Sequence, residues 1–194
     1  MSLPRFARFA VVVIVLASFT CALQNPPAPA PVIDNDFIQK QFGSTCTLLD
    51  SPPLKADLDG DGIEDIVIAA RCKNPLLDEA ENNFKVEDPF ASFFGYGNPK
   101  IATQFSTDVP ERRGISLLII HGSGDDAWHS ATPKSKFVII DLPFKQYSLK
   151  KMKFKKKKTV MAIYVEETGA DQMTSALFWD GKKYRYVPLG ASME

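Results

Sequence analysis

The stretch DLDGDGIED, Asp57 to Asp65, sets aspartates at loop positions one, three, five and nine around two glycines and runs straight into an apolar IVIAA segment. Carboxylates this close repel one another and raise one another's pKa, a conflict that a divalent cation removes. Asp57, Asp59, Asp61 and Asp65, with the backbone oxygen of Ile63 at position seven, form a set of hard oxygen donors, and Gly62 at position six permits the sharp turn. Calcium (Ca2+) is the expected ion. Four carboxylates and a carbonyl offer many flexible oxygens, whereas magnesium keeps several of its waters.

The segment after the loop decides which kind of site this is. The helix-loop-helix calcium site carries a bidentate glutamate at position twelve, which here is Ile68, and the run after Asp65 has the composition of a strand. The loop therefore feeds a strand. In this it resembles the FG-GAP or VCBS type of repeat, whose motif is approximately D-x-D-G-D-G-x-x-D followed by an apolar strand. That resemblance implies ion-binding roles for Asp57, Asp59, Asp61, the Ile63 carbonyl and Asp65. It covers about residues 42 to 71, with Phe42-Gly43 as a loose match to the name-giving dipeptide. A propeller needs at least four blades, and the sequence contains no second acidic loop. A single loop on a small sheet is expected, as in single-copy secreted bacterial proteins of this type.

Two other stretches invite a chemical reading. GISLLIIHGSGDDAWHS holds both histidines, His121 and His129, and its Gly122-x-Gly124-x-x-Ala127 spacing imitates a dinucleotide fingerprint. Asp125 and Asp126 would then lie where a pyrophosphate needs a positive helix end, which argues against it. An envelope enzyme or enzyme inhibitor built on His121 and His129 is one alternative, and a glycine-rich turn with Trp128 packed on the sheet is the plainer one. LKKMKFKKKKTV carries Lys150, Lys151, Lys153, Lys155, Lys156, Lys157 and Lys158, seven positive charges in nine residues. Such a hairpin can hold an anionic surface, or it can simply be a charged tip that discourages edge pairing.

The framework around these stretches is legible in the rest of the chain. MSLPRFARFAVVVIVLASFTCA has a basic start, an apolar run of about 11 residues and small residues at its end, the pattern of a secretory signal peptide over residues 1–22. Lipidation at Cys21 is the minor alternative, with Phe19 a poor fit to it. Residues 23–32 form a proline- and alanine-rich linker. Residues 33–194 have the length for one β-rich domain, with a long insertion at about 74–114. Export would pair the remaining cysteines, Cys46 and Cys72, in a disulfide that closes about 27 residues and contributes on the order of 3 kcal/mol. Two buried thiols are the other option.

Asp34 is placed to cap a short helix ending at Gly43, and NPLLDEAENNF has helical character. DIVIAARC, ISLLIIH, KFVIID, QYSLKKMKF, TVMAIYVEE, SALFW and KKYRYVP have strand composition, and Asp180-Gly181 marks a hairpin. Few helical segments intervene, so the expected class is α+β, mainly β: an antiparallel sheet with one or two short helices, and not a propeller. Removing the leader takes away Arg5 and Arg8 from 23 basic side chains balanced by 23 acidic ones, so a net charge of about −2 predicts no bulk affinity for nucleic acid. No transmembrane helix is expected in the mature chain. The leading expectation is an exported, periplasmic or secreted, calcium-stabilised and non-catalytic structural or binding module whose partner is an unknown protein or envelope component.

Overall fold

The computed structural model describes residues 32–96, 112–154, 158–168 and 173–191. The leader over 1–22, nearly all of the linker, residues 97–111 of the insertion, and Lys155, Lys156 and Lys157 lie outside them. The first element is helix α1 (Asn35–Phe42), where Asp34 Oδ1 accepts the Phe37 amide at 2.8 Å and Gly43 closes the end. Phe37, Ile38 and Phe42 turn to the core while Asp36, Gln39 and Lys40 stay in solvent, as the helical period requires.

The larger of two sheets has six strands: β1 (Cys46–Leu48), β2 (Leu54–Ala56), β3 (Asp65–Cys72), β4 (Lys85–Glu87), β5 (Ile115–His121) and β6 (Ser135–Ile139). Its order is β1-β3-β5-β6-β4, with β2 also on β3, and all pairs are antiparallel except β4 with β6. β7 (Phe144–Phe154), β8 (Lys158–Glu167), β9 (Met173–Trp179) and β10 (Tyr184–Ala191) form a second, four-stranded antiparallel meander. The fold is thus mainly β and mostly antiparallel, and its described residues form neither a closed barrel nor a propeller. It has two stacked sheets where one was expected.

The continuous apolar runs of β3, β5 and β6 are explained by burial on both faces. Ile66, Ile68, Ala70, Leu118, Ile120 and Val138 pack beneath α1 with Trp128. Their alternates, Val67, Ala69, Leu117, Ile119, Phe137 and Ile139, meet Ile163, Val165, Leu177, Tyr184 and Tyr186 of the second sheet. Cys46 and Cys72 are register partners on β1 and β3 and are joined in a disulfide with Cα atoms 4.0 Å apart. This covalent ring brackets the acidic loop.

One expectation about the insertion needs correction. NPLLDEAENNF makes only one 3-10 turn, Pro75–Leu77, followed by irregular turns. Asp78 is drawn off to the Thr45 amide at 3.0 Å, and Asn83 takes a left-handed backbone with φ 50°. The helix of the insertion is instead α2 (Pro89–Phe94), started by Asp88 Oδ1 on the Ala91 amide at 2.7 Å and by Pro89 in the first turn. The hairpin expected at Asp180-Gly181 is present, with four residues connecting Trp179 to its register partner Tyr184. Asp180 Oδ1 accepts the Lys182 and Lys183 amides across that turn.

Candidate metal centre

The acidic loop connects β2 to β3, and its own amides wrap it around its first carboxylate. Asp57 Oδ1 accepts from the Gly60 and Asp61 amides at 2.7 and 3.1 Å, and Asp57 Oδ2 accepts from Gly62 at 2.9 Å. Asp59 Oδ1 accepts the Asp61 amide at 3.2 Å, and Asp61 Oδ1 accepts the Ile63 amide at 2.9 Å. Gly60 and Gly62 have φ of 82° and 87°, a left-handed backbone that glycine adopts without strain. The result brings one oxygen from each of Asp57, Asp59 and Asp61 within 4.8 Å of one another, a group able to hold a metal ion.

Asp65 stands apart from that trio. Its side chain is buried, with Oδ2 accepting the Leu58 amide at 2.7 Å and Oδ1 the Gly122 amide at 2.8 Å. Burial raises its pKa to about 6, against the opposing pull of the two amides. It therefore anchors the loop to the turn after β5, and each oxygen keeps a second lone pair. The two backbones meet so closely that a Cβ on Gly122 would lie 2.4 Å from the Glu64 carbonyl oxygen. Only glycine fits there. Glu64 itself accepts from the Trp128 indole at 3.1 Å, tying the same turn to the far end of the loop.

The neighbouring cation was not anticipated from the sequence. Lys134, just before β6, donates from Nζ to Asp59 Oδ2 and to Asp61 Oδ2, both at 2.6 Å. These contacts lower the Asp61 pKa and raise that of Lys134. No local pattern marks Lys134, which is 75 positions from Asp59. Only the β5–β6 pairing brings it there.

His121 lies under the loop, 1% exposed, with Nδ1 3.6 Å from Asp59 Oδ2. Its Nε2 is 2.7 Å from the Tyr184 hydroxyl and its Nδ1 3.1 Å from Ser135 Oγ. Burial lowers its pKa to about 4, so at neutral pH the imidazole is uncharged and the contact with Asp59 is not an ion pair. His129 is held elsewhere, stacked on Trp128 with its Nδ1 against the Asp126 carbonyl. The glycine-rich turn with a packed Trp128 is what forms between β5 and β6.

The lysine cluster does not present one basic face over its described part. Lys151 and Lys153 point to one side of β7, while Lys150 shares the other side with Met152 and Phe154 and lies over the Tyr164 ring at 5.3 Å. Lys158 begins β8 opposite Phe154. In the insertion, Phe90 packs inward against Tyr186, whereas Phe93, Phe94 and Tyr96 are exposed. No helix among the described residues is long and apolar enough to cross a membrane.

A second carboxylate pair lies away from the loop, at the joint of α2 and β6, where Asp88 meets Asp141. Both pKa values are raised chiefly by burial, that of Asp141 to about 7 with Asp88 adding to it. Burial and the closeness of the two carboxylates therefore favour a protonated form of the pair.

The trio supplies carboxylate oxygens and neither nitrogen nor sulfur, the donor set of a hard cation rather than of zinc or copper. Comparison of the chain with known protein families, with curated proteins and with solved structures finds no match.

Proposed function

We propose that the chain is an exported, non-catalytic structural or binding module stabilised by one calcium ion in a loop of the FG-GAP or VCBS kind. The convergence of Asp57, Asp59 and Asp61 within 4.8 Å carries this reading. The Ile63 carbonyl and a free lone pair of Asp65 complete the donor set. The ion's role is to fix the loop that joins β2 to β3 over the β5–β6 turn. His121 is buried and engaged at both nitrogens, which favours a packing role for it over acid-base chemistry. A disulfide between Cys46 and Cys72 supports export to an oxidising compartment. The partner is a protein or envelope component.

Thermal unfolding of the purified chain in EDTA and in millimolar calcium tests the reading. With calcium about 100-fold above its Kd the folded state gains about 2.7 kcal/mol, a Tm rise of roughly 5–10 °C for a chain of this size. Asp59→Ala should abolish the rise. An unchanged Tm in the unmodified chain at 5 mM calcium, taken as roughly the top of the extracellular range, would refute the reading.

A further inference from the structure

The inference deepens the calcium reading and rests on it. Within the loop, Asp59 Oδ1 and Asp61 Oδ1 are already occupied by the Asp61 and Ile63 amides. The oxygens of these two carboxylates that accept no amide are Asp59 Oδ2 and Asp61 Oδ2. Those are the two atoms that Lys134 Nζ contacts, at 2.6 Å each. An ammonium at that distance from both oxygens competes for them with any ion that the two carboxylates would bind. We propose that Lys134 is the loop's built-in counter-ion, and that calcium binds by displacing its ammonium from Asp59 and Asp61.

The surroundings permit such an exchange. The Lys134 side chain is 48% exposed, and the residue also lines an open groove of about 430 Å³ with Gln41, Lys85, Thr132, Ser135 and Lys136. Its side chain can leave the loop for that groove while its backbone amide stays on the His121 carbonyl at 3.0 Å. The groove is a poor resting place for a third ammonium, because Lys85 and Lys136 already line it. Displacement therefore opposes ion binding twice, through the lost Asp59 and Asp61 contacts and through repulsion in the groove. The device keeps the loop folded and quiet when calcium is scarce and sets the concentration at which the ion takes over.

Calcium titration calorimetry and thermal unfolding on the full chain, on Lys134→Gln and on Lys134→Arg test this. Lys134→Gln should bind calcium at least 10-fold tighter than the unmodified chain, and Lys134→Arg, which keeps the charge, within about 3-fold of it. In EDTA, Lys134→Gln should melt about 3 °C lower, since Asp59 and Asp61 lose the ammonium between them, and calcium should restore it. Binding by Lys134→Gln alone would leave Lys134 as the counter-ion of the loop but overturn its displacement by calcium, and with it calcium loading of the unmodified chain. Equal affinity in the unmodified chain and in Lys134→Gln overturns the inference and leaves the calcium reading standing. Absence of binding in all three chains overturns both.

Discussion

The acidic loop and the Asp88–Asp141 pair set the same side chain against two different solutions to charge repulsion. In the loop Asp59 and Asp61, the first with a buried side chain and the second partly open to water, are answered by a cation, so the pKa of Asp61 is lowered by Lys134. At the joint of α2 and β6 the carboxylates are buried together, and a proton takes the place of the cation, with Asp141 raised to about 7. Asp141 Oδ1 is buried without a hydrogen-bond partner among the described residues, which fits a site that gains nothing from ionising. Sequence charge alone therefore does not announce a metal site. What distinguishes the loop is that its own amides gather three carboxylates while Asp59 Oδ2 and Asp61 Oδ2 are left to Lys134.

The largest effect should come from Asp65, the loop carboxylate whose two oxygens each accept a buried amide. Asp65→Ala leaves the Leu58 and Gly122 amides buried without acceptors and should cost about 3 kcal/mol in urea unfolding. A loss below about 1 kcal/mol would mean that the loop is not anchored through this residue.

Asp141→Asn probes the other solution. A carboxyl whose folded pKa lies near 7 against an ordinary value near 3.8 holds its proton longer in the folded than in the unfolded chain. Its contribution is present at low pH and is lost as pH rises from about 4 to 7. Asp65, raised to about 6, acts with the same sign over about pH 4 to 6. Asn tolerates the left-handed backbone of Asp141, φ 56°, and needs no proton to lie beside Asp88. The variant should be more stable than the unmodified chain by about 1–2 kcal/mol at pH 8 in EDTA, and the two should converge near pH 4. Parallel pH profiles would show that the pair does not share a proton.

The smallest effect belongs to Asp61→Asn. It removes one half of an exposed ion pair and should change stability in EDTA by about 0.5 kcal/mol, less in 0.5 M salt, while weakening calcium binding. A loss as large as that of Asp65→Ala would erase the distinction between the carboxylate that anchors the loop and the carboxylates that pair with Lys134.

Much of the molecule was readable from local chemistry. The Asp34 cap, the boundaries of β3 and β5, the disulfide and the convergence of Asp57, Asp59 and Asp61 all depend on short-range pattern or on a turn with few alternatives. Lys134, His121 and Tyr184 were not assigned to the loop, because their approach to Asp59 is a product of strand order. The division into two sheets was equally invisible. β6 and β7 are both strand-like, and only the turn at Leu142 and Pro143 between them, with Asp141 left-handed before it, carries the chain from one sheet to the other. The described elements of the insertion leave little trace in the sequence, because a single helical turn and a three-residue strand give too short a period to detect.

That three-residue strand has a bearing on solubility. β4 lies along β6 at the margin of the larger sheet, with Lys85, Val86 and Glu87 opposite Phe137, Val138 and Ile139. Cut away, it would leave the main-chain groups of one of the most apolar strands in the molecule facing water, a template on which further copies could stack. β4 thus serves as a selvedge that keeps the fabric from joining to its neighbour.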